Sequence, residues 1–271
     1  MSLPPPPEAD LADDLELALR LADAADQLTI DRFGASDLVV EAKPDLTPVS
    51  DADRAAEQLL RTELQAERPD DAVAGEEFGA TGSGPRIWVL DPIDGTKNFV
   101  RGVPVWATLI GLLDDGDAVL GVVSAPALGR RWWAARGLGS WSSANGGRAR
   151  VNRVSLVADL ADASLSFSDV ASWAAHGRAE AFAALTQGVW RSRGYGDFWS
   201  YMLVAEGAVD VAAEPELSLW DVAAVAPVVT EAGGTFSGVD GVPGVHQGSA
   251  AASNGRLHAA LLTALGTTAS G

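Results

Sequence analysis

Ile87-Trp88-Val89-Leu90-Asp91-Pro92-Ile93-Asp94-Gly95-Thr96-Lys97-Asn98-Phe99 carries the densest chemistry in this chain. Ile87 to Leu90 is an apolar run of strand type. Asp91 stands where that strand should stop, because Pro92 cannot donate to a sheet ladder and turns the chain. Asp94 follows three residues later, Gly95 permits a sharp bend, and Thr96 can cap a helix beginning near Lys97. Two carboxylates then sit at the end of a buried strand beside a helix N-terminus. Carboxylates hold hard cations, and free N–H groups at a helix start hold phosphate. A plain loop also uses Asp-Pro and Asp-Gly, so the dipeptides alone leave both readings open.

Composition narrows the choice. The chain has 271 residues, is 47% hydrophobic, and carries a formal charge of −18. That length supports one large domain or two small ones. No apolar run reaches the roughly 18 residues of a membrane span. Met1 to Glu8 lacks the basic start and apolar core of a signal peptide, and residues 1–10 are expected to be a disordered lead. The absence of cysteine removes disulfides and thiolate chemistry and fits a cytoplasmic setting. So acidic a surface repels nucleic acid and anionic membranes, although acidity also simply keeps a protein soluble. His176, His246 and His258 are far apart, so any metal is expected on oxygen ligands, as Mg²⁺ or Mn²⁺.

Outward from the central stretch, Leu11 to Phe33 follows helical spacing, with Gly34 as its stop. Leu38 to Val40 reads as a short strand. Two prolines keep Lys43 to Pro48 extended, and a helix capped by Ser50 or Asp51 runs to about Glu67. Ala72 to Phe78 reads as a strand ending in Glu76 and Glu77, which is either a solvated turn or a second pair of acids at the rim. Thr81 to Pro85 reads as a flexible loop. Trp106–Leu113 and Ala118–Ala125 form a hairpin, followed by a strand over Arg131–Ala135. Asn145-Gly146-Gly147 divides the chain into halves, 11–147 and 148–266. In the second half, strands are expected over 163–167, 189–193, 209–213 and 249–253. Helices are expected over 178–186, 198–206, 219–232 and 257–265, with Pro227 kinking the third. Asp221 opens that helix as a cap, a dipole partner or a ligand. The mixture of strands and helices in both halves indicates a layered α/β architecture.

The segment D-P-I-D-G-T-x-N-F, from Asp91 to Phe99, resembles the signature of the inositol monophosphatase family of Mg²⁺-dependent, lithium-sensitive phosphatases. Matching segments extend over about residues 11 to 265. The resemblance implies an alternating αβαβα sandwich of the inositol monophosphatase/fructose-bisphosphatase type, two or three Mg²⁺ per site, and a homodimer. It implies metal ligation by Glu76, Asp91, the Ile93 carbonyl, Asp94 and Asp221. It implies water activation by Glu76 and Thr96, with Asp51 bordering the metals or holding a weak extra one. Substrate contacts map to Gly95, Thr96, Lys97, Arg193, Tyr195, Asp197, Glu214 and Asp221. Where the family pattern has small residues after glycine, this chain has Tyr195 and Asp197, which makes inositol phosphate a poorer fit. Asp94 to Trp106, Arg131 to Ala135 and Tyr195 to Asp197 resemble the bacterial members that hydrolyse L-histidinol phosphate. That substrate is a small phosphate ester with an ammonium group and an imidazole, which Asp197 and Glu214 are placed to meet. The rival readings are a relative acting on inositol, sugar or nucleotide phosphates, and a non-catalytic metal- or phosphate-binding regulatory module. An aspartyl-phosphate mechanism needs D-x-D, whereas Pro92 and Ile93 put two residues between the acids.

Overall fold

The computed structural model describes residues 11–44 and 46–266; the expected lead over 1–10 lies outside them. The first half of the chain runs α1 (Leu11–Arg32), β1 (Val40–Ala42), β2 (Pro48–Ser50), α2 (Asp51–Glu67), β3 (Ala72–Gly75), β4 (Gly79–Thr81), β5 (Arg86–Asp94), α3 (Thr96–Val100), β6 (Ala107–Asp114), β7 (Asp117–Ala125), β8 (Arg130–Ala135), β9 (Gly139–Ala144) and β10 (Arg150–Val151). The second half runs β11 (Ser164–Ser166), α4 (Val170–Ala175), α5 (Ala179–Gly188), β12 (Arg191–Arg193), α6 (Asp197–Ala205), β13 (Val211–Glu214), α7 (Leu219–Ala223), α8 (Val225–Glu231), β14 (Thr235–Ser237), β15 (Ala250–Ser253) and α9 (His258–Ala264).

Two sheets carry the architecture. The larger has eight strands in the order β10-β9-β8-β7-β6-β5-β3-β4, antiparallel except where β3 runs parallel to β5. The smaller has the order β12-β11-β13-β15-β14. Strand side chains alternate between faces, and here both faces of the large sheet are covered. Trp88, Leu90, Ile110 and Leu112 pack with Leu17, Leu21, Leu60 and Leu64 of α1 and α2. Val89, Leu109 and Val123 point the other way, onto Phe198, Met202, Val225 and Val229 of α6 and α8. Ala212 and Ala252 of the smaller sheet join that same middle core. The sheet's outer face, through Leu165, Val211 and Ala251, packs on Trp173, Phe182 and Leu261 of α4, α5 and α9. The layers are therefore α, β, α, β, α, as the resemblance implied.

Two glycines bring the middle layer close. A Cβ on Gly121 would stand 1.9 Å from the Ala224 carbonyl oxygen, and one on Gly111 2.8 Å from the Ala223 carbonyl carbon. The junction of α7 and α8 thus lies directly on β6 and β7.

Several local expectations are corrected. Pro92 does not end its strand: β5 continues to Asp94 across a register shift, pairing Asp91 with Leu109 and Asp94 with Ala107. Pro92 is tolerated because it falls in that irregularity, where Thr108 Oγ1 donates to its carbonyl at 2.8 Å. The helix expected over 219–232 is split at Ala224, three residues before Pro227, whose ring crowds the preceding turn. The early strand lies at Val40–Ala42 rather than 38–40. Strands β4, β9 and β14 and helix α4 carried no periodic signal strong enough to be expected.

Candidate active site

Parallel pairing of β3 with β5 opposes Gly75 to Leu90. Glu76 leaves β3 just beyond this pair, beside Asp91, which stays within β5, and the Glu76 N–H donates to the Leu90 carbonyl at 3.2 Å. The Glu76–Phe78 turn is held from below by Glu57, whose carboxylate accepts from the N–H groups of Glu77 at 2.7 Å and Phe78 at 3.2 Å. Position 75 must be glycine for this, since a Cβ there would meet Glu57 Oε1 at 2.1 Å. Lys43 Nζ lies 2.7 Å from Glu76 and 2.6 Å from Glu77. Burial alone would lower the Lys43 pKa, but its two ion pairs outweigh that and hold it above the ordinary lysine range.

Along β5, Asp91 Oδ1 accepts from the Ile93 N–H at 3.0 Å, which shapes the irregular segment around Pro92. Gly95 then adopts φ +85° and precedes α3. A Cβ there would crowd the Val105 carbonyl at 3.0 Å and Asp197 Oδ2 at 3.3 Å. Thr96 is the first residue of α3 rather than its cap. Its hydroxyl lies 3.2 Å from Asp53 Oδ1 and 3.0 Å from the Ile93 carbonyl.

Asp94 meets the second half of the chain. Its Oδ2 accepts from the Phe198 N–H, at the start of α6, at 2.7 Å. Asp197 takes φ +50°, its N–H donates to Ser168 Oγ at 2.8 Å, and its Oδ2 accepts from Asn98 at 3.1 Å. Asp221 accepts from the Ser218 N–H at 2.7 Å while also facing the other acids. Carboxylate oxygens of Asp91, Asp94 and Asp221 all lie within 4.8 Å of one another. Beside them is a cavity of about 150 Å³, lined by Asp94, Asp197, Phe198, Tyr201, Glu214, Leu217 and Asp221.

So many acids at close range resist ionisation. Burial, then the charges of Glu76, Asp94 and Asp221, push Asp91 well above the carboxylate range. Burial and the charges of Asp197 and Asp221 do the same to Asp94. Burial raises Asp221 to about 7 and Glu214 to about 8. Glu214 faces Ser168 and the buried Tyr201 hydroxyl, whose hydrogen bonds offset only part of the effect of burial. An all-oxygen donor set with this much unrelieved negative charge fits small divalent cations such as Mg²⁺ or Mn²⁺.

Some expected residues lie elsewhere. Asp51 pairs with Arg32 at 2.8 Å, and it is Asp53, two residues on, that meets Thr96. Arg193 is exposed, its guanidinium on the Ser192 carbonyl. Tyr195 accepts from Arg191 at 3.0 Å and packs against Trp199. Neither lines the cavity. Lys97 is exposed on α3, and its charge acts on Asp197. Asp53, Glu57 and Tyr201 were not singled out from the sequence. Asp53 had a visible signal, the S-x-x-D spacing of a capping box from Ser50; its Oδ2 accepts from the Ser50 N–H at 2.8 Å.

Comparison with known proteins shows which family has this sequence and fold. The chain is 61% identical over 257 residues to a histidinol-phosphatase of Streptomyces coelicolor, covering 93% of this chain and 97% of that protein. It is 61% identical over 254 residues to a histidinol-phosphatase of Mycobacterium tuberculosis, covering 93% and 98%. An inositol monophosphatase from Zymomonas mobilis superposes with a TM-score of 0.83 at 31% identity, covering 96% of this chain and all of that one. The sequence model of the inositol monophosphatase family matches residues 10–269, and to that family this chain belongs.

Proposed function

We propose that this chain is a Mg²⁺-dependent phosphomonoesterase that hydrolyses L-histidinol phosphate to L-histidinol and phosphate, a step of histidine biosynthesis. The observation that carries the chemistry is the convergence of Asp91, Asp94 and Asp221. The choice of substrate rests on the near full-length similarity to the two histidinol-phosphatases.

Glu76, Asp91, Asp94, Asp221 and the Ile93 carbonyl are the ligands this reading assigns. Bound there, two or three divalent cations would offset the phosphate's charge and lower the pKa of a coordinated water. Thr96 and Asp53 orient the attacking water: Thr96 Oγ1 takes its proton while passing its own to Asp53 Oδ1, and Glu76 accepts from the water's other side. The N–H groups of Gly95 and Thr96 cradle phosphate oxygens. Asp197 and Glu214 meet the cationic alcohol. Glu214 is uncharged near neutral pH while alone, and an arriving ammonium or imidazolium favours its ionised form. A neutral polyol offers no such compensation, which is the basis for selecting histidinol phosphate.

The halves 11–147 and 148–266 act as one catalytic unit in this reading, because Asp91 and Asp94 come from one and Asp221 from the other. Among the described residues no helix is long and apolar enough to cross a membrane. A homodimer is carried over from the resemblance and a cytoplasmic setting from the absence of cysteine; sedimentation of the purified protein tests the dimer. The function itself is tested with purified protein, Mg²⁺ and a panel of phosphomonoesters. Histidinol phosphate should have the highest kcat/KM; preference for inositol phosphate or a nucleotide substrate overturns the assignment.

A further inference from the structure

A second cavity, of about 600 Å³, lies at the β10 edge of the large sheet, opposite the edge formed by β4. None of its lining residues lines the acidic cavity. Its walls include Arg130 at the start of β8, Ser143 near the end of β9, Arg148, Arg150 and Asn152. Glu206, just after α6, is the single acid among them.

On a molecule of charge −18, three arginines around one cavity are unexpected. Several arginines elsewhere are answered by carboxylate, as in Arg61–Glu57, Arg68–Asp14 and Arg131–Asp26, while Arg178, Arg193 and Arg256 reach only carbonyl oxygens, each of them alone rather than gathered with others. Here only Arg130 has an acid, Glu206. Its guanidinium also lies 4.8 Å from the centroid of the Trp132 ring, and its buried Nε has no hydrogen-bond partner among the described residues. The side chains of Arg148 and Arg150 enter no hydrogen bond or ion pair among the described residues. The segment presenting them is fixed: buried Asn152 donates to the Ser140 carbonyl at 2.8 Å and to Ser140 Oγ at 3.0 Å, and accepts from Ser142 Oγ at 2.7 Å. Collected like charges without counter-charges favour a bound anion, and guanidinium forks match the paired oxygens of phosphate and carboxylate.

We propose that this cavity binds a small polyanion, a molecule bearing two or more phosphate or carboxylate groups. Pyrophosphate and citrate are the probes, titrated separately by calorimetry into full-length protein freed of divalent ions on a chelating resin. Without metal the catalytic acids repel both probes, so binding heat reports the arginine cavity. At least one probe should bind, with affinity falling tenfold or more in Arg148→Ala/Arg150→Ala and less than twofold in the charge-matched control Arg136→Ala/Arg153→Ala. A response to pyrophosphate alone identifies a phosphate ligand, and one to citrate alone a carboxylate. Binding of neither probe, or equal weakening in the two double variants, overturns the proposal.

Discussion

Asp53 and Thr96, 43 positions apart in sequence, meet at 3.2 Å through Oδ1 and Oγ1. Asp53 also closes the start of α2 through its other oxygen, which accepts from the Ser50 N–H. One side chain thus fixes a helix end and presents an acceptor to the threonine beside the acidic cluster.

Asp53→Asn keeps an acceptor for Ser50 but removes the proton acceptor for Thr96. Turnover of histidinol phosphate should fall by about 10²–10⁴-fold, the usual worth of a positioned base. The circular dichroism spectrum should not change. Asp51→Asn, by contrast, should alter kcat by less than a few-fold. Equal losses in the two variants would return Asp51 to the site.

The acids carry a pH signature. Unfolded, carboxyls titrate near 4, while folded Asp221 is raised to about 7 and Glu214 to about 8. Between those limits the folded state holds more protons than the unfolded one. These groups' contribution to the stability of the metal-free protein should therefore be fully present below about pH 4, decline as pH rises through 7 and 8, and level off above that. Divalent cations favour the ionised acids, so saturating Mg²⁺ should raise Tm by several degrees more at pH 8 than at pH 6. An equal increment at both would place the cation away from this cluster.

Gly121 tests how the middle layer is seated. An alanine there collides with the Ala224 carbonyl oxygen, and such overpacking costs about 1–3 kcal/mol or more. At about 3 °C per kcal/mol for a chain of this size, the melting temperature should drop by roughly 3–9 °C. Mg²⁺-dependent activity should fall with it, because Ala224 directly follows the helix that carries Asp221. A melting curve matching the wild type would show that the junction moves freely.

Glu214→Gln removes the negative charge that meets the cationic alcohol. For histidinol phosphate, kcat/KM should drop about 10–100-fold, the range of one lost charged contact. For inositol phosphate it should change by less than threefold. A uniform loss across substrates would make Glu214 structural.

Much of the layout was legible locally. The apolar run from Ile87 to Leu90, the turn residues after Asp91, and the Glu pair after Gly75 identified which strands carry acids near their ends. Strand identity, a glycine turn and residue chemistry are properties of a few consecutive residues. Errors arose where a neighbour decides. Pro92 stays within β5 because Thr108 and the register shift accommodate it. The short strands β4 and β9 exist because a longer partner pairs them.

The sequence by itself determined a layered α/β architecture, which the family resemblance sharpened to αβαβα, an oxygen-only donor set, and the nearness of Asp91 and Asp94 along one short stretch. Tertiary structure alone decided that Asp53 rather than Asp51 faces Thr96, because two residues along a helix are about 200° apart in direction and only packing sets the helix's rotation. It also decided that Asp221, Glu214 and Tyr201 share one cavity while Arg193 and Tyr195 do not. Asp53 meets Thr96 across 43 positions and Asp94 meets Phe198 across 104, and no local pattern specifies such meetings.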